Sequence, residues 1–275
     1  MTEILKKAFC IIKEKAAISS IFIFLIIILQ LFSLFMIEKQ TATLNFFISF
    51  VVLLLMTVAF FAGWFNVIKE AVLDNKEISD VESFFSGIGE KFLMISKISF
   101  FYSVFFIIIS LLAYKGLCTF FPSLHFSRSD VVEVFNEINN LQNATAFPVL
   151  NNKVIIFFML GACFNIAFYI WLYIMAFFVA DIYMNNQKNF FKNFIYSVKF
   201  IFINIKQIIL AFLFLAFLFI IVYIFSVIGA ANIVLGIISI FLFGYYASFC
   251  YVVVFLLYER NRDKSNCDNR CDSNR

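Results

Sequence analysis

Residues 21–37 read IFIFLIIILQLFSLFMI, and fourteen of these seventeen residues are Ile, Leu or Phe. At about −0.3 to −0.6 kcal/mol each on an insertion scale they supply roughly −4 to −8 kcal/mol, which outweighs the single amide of Gln30. About 20 apolar residues at 1.5 Å each cross the ~30 Å hydrocarbon core of a bilayer. The stretch therefore reads as a transmembrane helix. Five more apolar stretches follow, so the spans lie near Ala16–Ile37, Leu44–Ile68, Ile95–Tyr114, Val154–Ala180, Gln207–Ile228 and Asn232–Leu257.

The whole chain agrees with that reading. Of its 275 residues 64% are hydrophobic and 14% charged, against about 45–50% and about 25% in soluble domains. A mean hydropathy of +0.99, with 2 prolines and 8 glycines, excludes disordered, collagen-like and all-β compositions. The 43 phenylalanines accompany abundant Ile, Asn and Lys, the pattern AT-rich codons supply. Most of them read as lipid-facing filler.

Lys6, Lys7, Lys13 and Lys15 precede the first span as in a secretory signal. Its apolar part exceeds an h-region, however, and no small-x-small cleavage site follows, so it reads as a retained helix. Assigning connections alternately to two sides leaves Lys39, Lys115, Arg128 and Lys153 on one face and the other 17 of the 21 Lys and Arg residues on the opposite face. The positive-inside rule then puts both termini in the cytoplasm. The expected fold is all-α and integral to the cell membrane: a six-helix transmembrane domain over residues 1–258 and a polar, disordered cytoplasmic tail over 259–275.

Gly229 and Asn232 mark a helix stop and start in a short outer connection. The long outer connection, Lys115 to Lys153, holds Pro122, His125 and Pro148. Within it Asp130 and Glu133 read as a capping box ahead of an apolar stripe, Val131, Val134, Phe135, Ile138 and Leu141. This predicts a short amphipathic helix over the outer mouth.

Two inner connections carry more pattern. Ser79 with Glu82 reads as a capping box with Ile78 as a staple, followed by Val81, Phe84, Phe85, Ile88, Phe92 and Ile95 at helical spacing. Farther on, Phe190, Phe191, Phe194, Ile195, Val198, Ile201, Phe202 and Ile205 form one face, while Lys192, Lys199 and Lys206 fall seven apart on another. Both predict amphipathic segments lying in the inner interface before turning into the bilayer. Lys91-Phe92-Leu93-Met94-Ile95 also matches Lys199-Phe200-Ile201-Phe202-Ile203 at an offset of 108. Each follows a descending helix and precedes a rising one, which predicts a parallel internal repeat.

Ser197 with Asn204 seven residues later, Lys199 between them, Phe190 and Phe191 ahead, and Asp181 closing the preceding helix resemble a bacterial family of six-helix membrane domains. The family is related to the membrane domain of some glycerophosphodiester phosphodiesterases. The resemblance covers helices 4 and 5, and the rest by layout; the proline the family often carries near Asp181 is absent. It implies the membrane module alone, since no soluble phosphodiesterase domain follows.

Polar groups in lipid are costly and mark candidate sites. Gln30, Asn66 and Asn165 read as interhelical hydrogen bonds or, alternatively, as substrate-facing groups. Asp181 is either an interfacial cap paired with Lys188 or Lys192, or a gate or proton-linked group. Ser197 and Asn204 are polar-face contacts or site residues. Ala59 with Gly63, and Gly244 with Ser248, permit close helix approach.

Cys10, Cys267 and Cys271 are placed in the cytoplasm, Cys163 and Cys250 in lipid and Cys118 near the outer face, so no disulfide is expected within a monomer. The C-x-x-x-C tail lacks further zinc ligands. H-E-x-x-H, G-x-S-x-G and Walker motifs are absent, and lone His125 completes no site. No metal, cofactor, nucleic-acid partner or enzymatic activity is expected.

The leading expectation is a non-enzymatic membrane module that engages anionic lipid headgroups, a partner membrane protein or a second copy of itself. Lys91, Lys97, Lys192, Lys199 and Lys206 are its candidate headgroup contacts. The alternative is a small transporter or channel subunit, and an intramembrane enzyme ranks third.

Overall fold

The computed structural model describes residues 1–38, 43–74, 79–120, 152–185, 190–229 and 233–272, and every regular element among them is an α-helix. The elements are α1 Thr2–Glu14, α2 Ala16–Glu38, α3 Thr43–Val72, α4 Asp80–Phe120, α5 Asn152–Asn185, α6 Phe190–Ile203, α7 Ile205–Gly229 and α8 Ile233–Asp272. Among the described residues five helices are long and apolar enough to cross a membrane. A sixth span results when α1 and the start of α2, bent 75° to each other, are counted together. The outer amphipathic helix, His125, the Ile78 staple, Lys188 and the side chains of Asn165, Cys267 and Cys271 lie outside the described residues.

Three features differ from the sequence reading. First, residues 2–14 form a helix rather than a basic flank: Ile4, Ala8, Ile11 and Ile12, at helical spacing, are buried. Second, α4 starts at the expected cap, where the Glu82 N–H donates to Ser79 Oγ at 3.2 Å, but it does not turn before the span. Its 41 residues run about 61 Å unbroken at 1.5 Å each, because no proline interrupts them and Ile95 and Ile98 continue one buried face. Third, α8 continues past Leu257 to Asp272. Glu259 to Arg262 offer no breaker, and Asn261 donates to the Leu257 carbonyl at 2.9 Å.

The chain divides into two compact units, residues 1–99 with 174–275, and residues 100–173. In the smaller unit α4 and α5 meet through rings: Trp171 stands 5.2 Å from Tyr102 and 5.5 Å from Phe105, and Phe106 stacks edge-on against Phe164 and Phe168 at 5.4 Å.

The larger unit has its core where α3 and α5 end, α2 and α7 begin and the middle of α8 passes. Val252 to Tyr258 of α8 are all buried, with Ala176 to Tyr183 of α5 and Trp64, Phe65, Val67 and Ile68 of α3. Phe65, Phe177, Phe178 and Phe255 are thus core rather than filler, whereas Phe24, Phe85, Phe100 and Phe217 are exposed in the expected way. Lys7–Glu259 at 3.9 Å and Glu3–Arg260 at 3.0 Å fasten α1 to α8 at this end.

Small residues set the closest crossings. A methyl group at Gly63 would stand 2.8 Å from the Phe84 carbonyl oxygen, and one at Gly87 would stand 2.7 Å from the Ala62 carbonyl oxygen. Gly244 gives way to Ile23 of α2, one turn before buried Ser248. Gly87→Ala should therefore lower stability in detergent by about 1–3 kcal/mol, because backbone cannot yield as a side-chain tip does. Gly89→Ala, with nothing within 4 Å, should raise it by about 0.5–1 kcal/mol through helix propensity. Chemical unfolding of the two variants side by side tests the crossing.

Candidate functional site

Asp181 lies one turn before the end of α5, and Asn185, four residues on, shares its face. The Asp181 carboxylate is fully buried. Its Oδ1 accepts from Tyr258 Oη of α8 and from Asn185 Nδ2 at 2.6 Å, and Asn185 Nδ2 also reaches Tyr258 Oη at 2.7 Å. Among the described residues the partners of Asp181 include a phenol and an amide. Its second oxygen, Oδ2, is buried without a hydrogen-bond partner among the described residues. Arg262, one turn past Tyr258, donates to the Met184 carbonyl at 3.4 Å.

Helix α6 presents Asn193, Ser197 and Phe200, with Asn204 just past its end, at i, i+4, i+7 and i+11, and all four are buried. Ile195 and Phe202, on the other side, are 66% and 69% exposed. The polar stripe therefore faces the core. Ser197 interacts with Asp181, while its hydroxyl donates to the Asn193 carbonyl at 2.9 Å. Rings complete the packing, with Phe200 4.7 Å from Tyr258 and 5.9 Å from Phe177.

Asn204 is the hinge between α6 and α7. Its side chain and its backbone N–H both donate to the Phe200 carbonyl, at 3.1 and 3.0 Å, and its own carbonyl accepts from Gln207 and Ile208. One residue thereby ends one helix and starts the next. Gln207 Oε1 in turn accepts from Asn261 Nδ2 at 3.0 Å, tying α7 to α8.

Asn66 belongs to a different contact. Its Nδ2 donates to the Ser83 carbonyl at 2.8 Å and to Ser83 Oγ at 3.2 Å, across the α3–α4 crossing. Gln30, by contrast, is exposed. Lys97, Lys192 and Lys206 are exposed, and Lys91 and Lys199 are half-buried.

The structure thus brings Ser197 of α6 to Asp181 of α5, while Asn204 lies two turns farther on and is bonded to the Phe200 carbonyl. Sequence reasoning missed Asn185, Asn193 and Tyr258. The Asn193–Asn204 stripe was readable from its spacing, whereas the partner 77 residues away in α8 was not.

No group of three or more His, Cys, Asp or Glu residues able to hold a metal occurs among the described residues. The cluster is buried and ring-packed, and its chemical capacity is to join α5, α6 and α8 around one carboxylate. No family model, curated protein or solved structure matches the chain.

Tyr258→Phe removes a donor from a buried carboxylate and should cost about 1–3 kcal/mol of stability. Tyr245→Phe, at a site 45% exposed, should stay within about 0.5 kcal/mol. Paired denaturation curves of the two variants check the assignment.

Proposed function

We propose that the chain is a non-enzymatic multi-pass module of the cell membrane, with both termini cytoplasmic, that engages anionic lipid headgroups through α6 and the start of α7. The observation that carries this reading is the division of α6. Its polar stripe faces the protein core, Ile195 and Phe202 are exposed, and Lys192 and Lys199 lie seven residues apart along its flank, with Lys206 at the start of α7. An exposed apolar edge bordered by lysines suits an interface in which acyl chains lie beside phosphates. The 17-to-4 bias of basic residues supports the same face being cytoplasmic.

A parallel repeat is supported by a shared contact as well as by the offset of 108. Asn66 of α3 meets Ser83 of α4, and Asp181 of α5 meets Ser197 of α6. In each half a polar residue near the end of one helix neighbours a serine of the next.

Each lysine near an anionic surface contributes about 1 kcal/mol. The full chain in neutral micelles should therefore be stabilised by added phosphatidylglycerol more than by phosphatidylcholine, through ligand linkage. The triple replacement Lys192→Gln, Lys199→Gln and Lys206→Gln should remove most of that difference, as should high salt. An undiminished preference in the triple variant would remove the basis for the reading.

A further inference from the structure

Helix α1 meets α2 at 75°. If α2 runs across the bilayer, α1 lies close to its plane, at the level where α2 enters. Three sectors follow one another round α1 at about 100° per residue. Ile4, Ala8, Ile11 and Ile12 are buried against the protein. On one side of them Glu3 and Lys7 pair with Arg260 and Glu259 of α8. On the other side come Leu5, half-buried, and Phe9, 65% exposed, and beyond these Lys6 and Lys13, both exposed.

The two edges are therefore unlike. The edge toward α8 is ionic and satisfied by the protein, whereas the edge turned away from α8 is apolar and bordered by two lysines seven residues apart. A phenylalanine so exposed beside the buried face of α1 loses its transfer free energy unless something apolar covers it. The lysine border matches an anionic cover, with stems along the acyl region and ammonium groups at phosphate depth.

We propose that α1 is an in-plane membrane anchor, with its Leu5 and Phe9 edge inserted among acyl chains at the inner interface and Lys6 and Lys13 reaching anionic headgroups. The proposal extends the lipid reading above to a helix that carries none of Lys192, Lys199 or Lys206, so the two can fail separately.

The test uses the full chain in bilayers of brominated lipid and reads the emission that Phe9→Trp adds over the wild type. Bromines near the headgroup end of the chain should remove most of the added emission, and aqueous iodide should remove little. Lys6→Gln with Lys13→Gln should abolish any excess quenching by brominated phosphatidylglycerol over brominated phosphatidylcholine. Leu5→Trp serves as the second probe if Phe9→Trp does not fold. Quenching by iodide alone would place the edge in water, and quenching by neither agent would place it against another protein surface. Either result overturns the anchor. If the phosphatidylglycerol preference carried by Lys192, Lys199 and Lys206 persists in that case, the reading of α6 stands without it.

Discussion

Lipid tails are as apolar as leucine, so burying apolar surface gives helices in a bilayer little reason to associate. Association must come from close approach and from polar groups that find no partner in the hydrocarbon. The larger unit uses both means. Gly63 and Gly87 bring backbones together, Gly244 admits the side chain of Ile23, and donors reach across to helix carbonyls: Trp64 Nε1 to Ile18 at 2.7 Å, Tyr183 Oη to Ala62 at 2.7 Å and Tyr246 Oη to Leu215 at 3.0 Å. A helical carbonyl has a second lone pair after its own N–H bond, so these additions leave the helices intact.

The Asp181 cluster follows the same logic with a stronger group. A carboxylate so buried is costly unless donors meet it, and Tyr258 and Asn185 do so on one oxygen. Helix α6 then turns its polar stripe toward the cluster, which leaves its apolar edge outward. An isolated amphipathic helix would be read as polar toward water and apolar toward protein. Here the polar side faces protein, because the protein holds a buried acid there.

Much of this fold was legible in the sequence. Hydropathy located the spans, Ser79 was readable as a cap, and the small-residue pairs were readable as crossings. At the site, Asp181, Ser197 and Asn204 stood out as polar residues in apolar surroundings. The remainder depended on information that a local pattern does not carry. The four lysines near the start masked the periodicity of Ile4, Ala8, Ile11 and Ile12. The change of pattern near Ile95 marked where polarity ends, which is not where α4 bends. Tyr258 looked like the edge of a span, and its role depends on which helix packs beside α5.

The central position of α8 has a consequence for biogenesis. Helices α1, α2 and α3 all pack on it, yet ribosomes make it after every one of them. During synthesis the early helices must wait in the bilayer with Ile23 facing lipid instead of Gly244, and with Asp181 lacking the phenol of Tyr258. Completion of the core therefore waits on the arrival of one late helix, and until α8 is made the Asp181 carboxylate has Asn185 of its own helix as a donor but not the phenol of Tyr258.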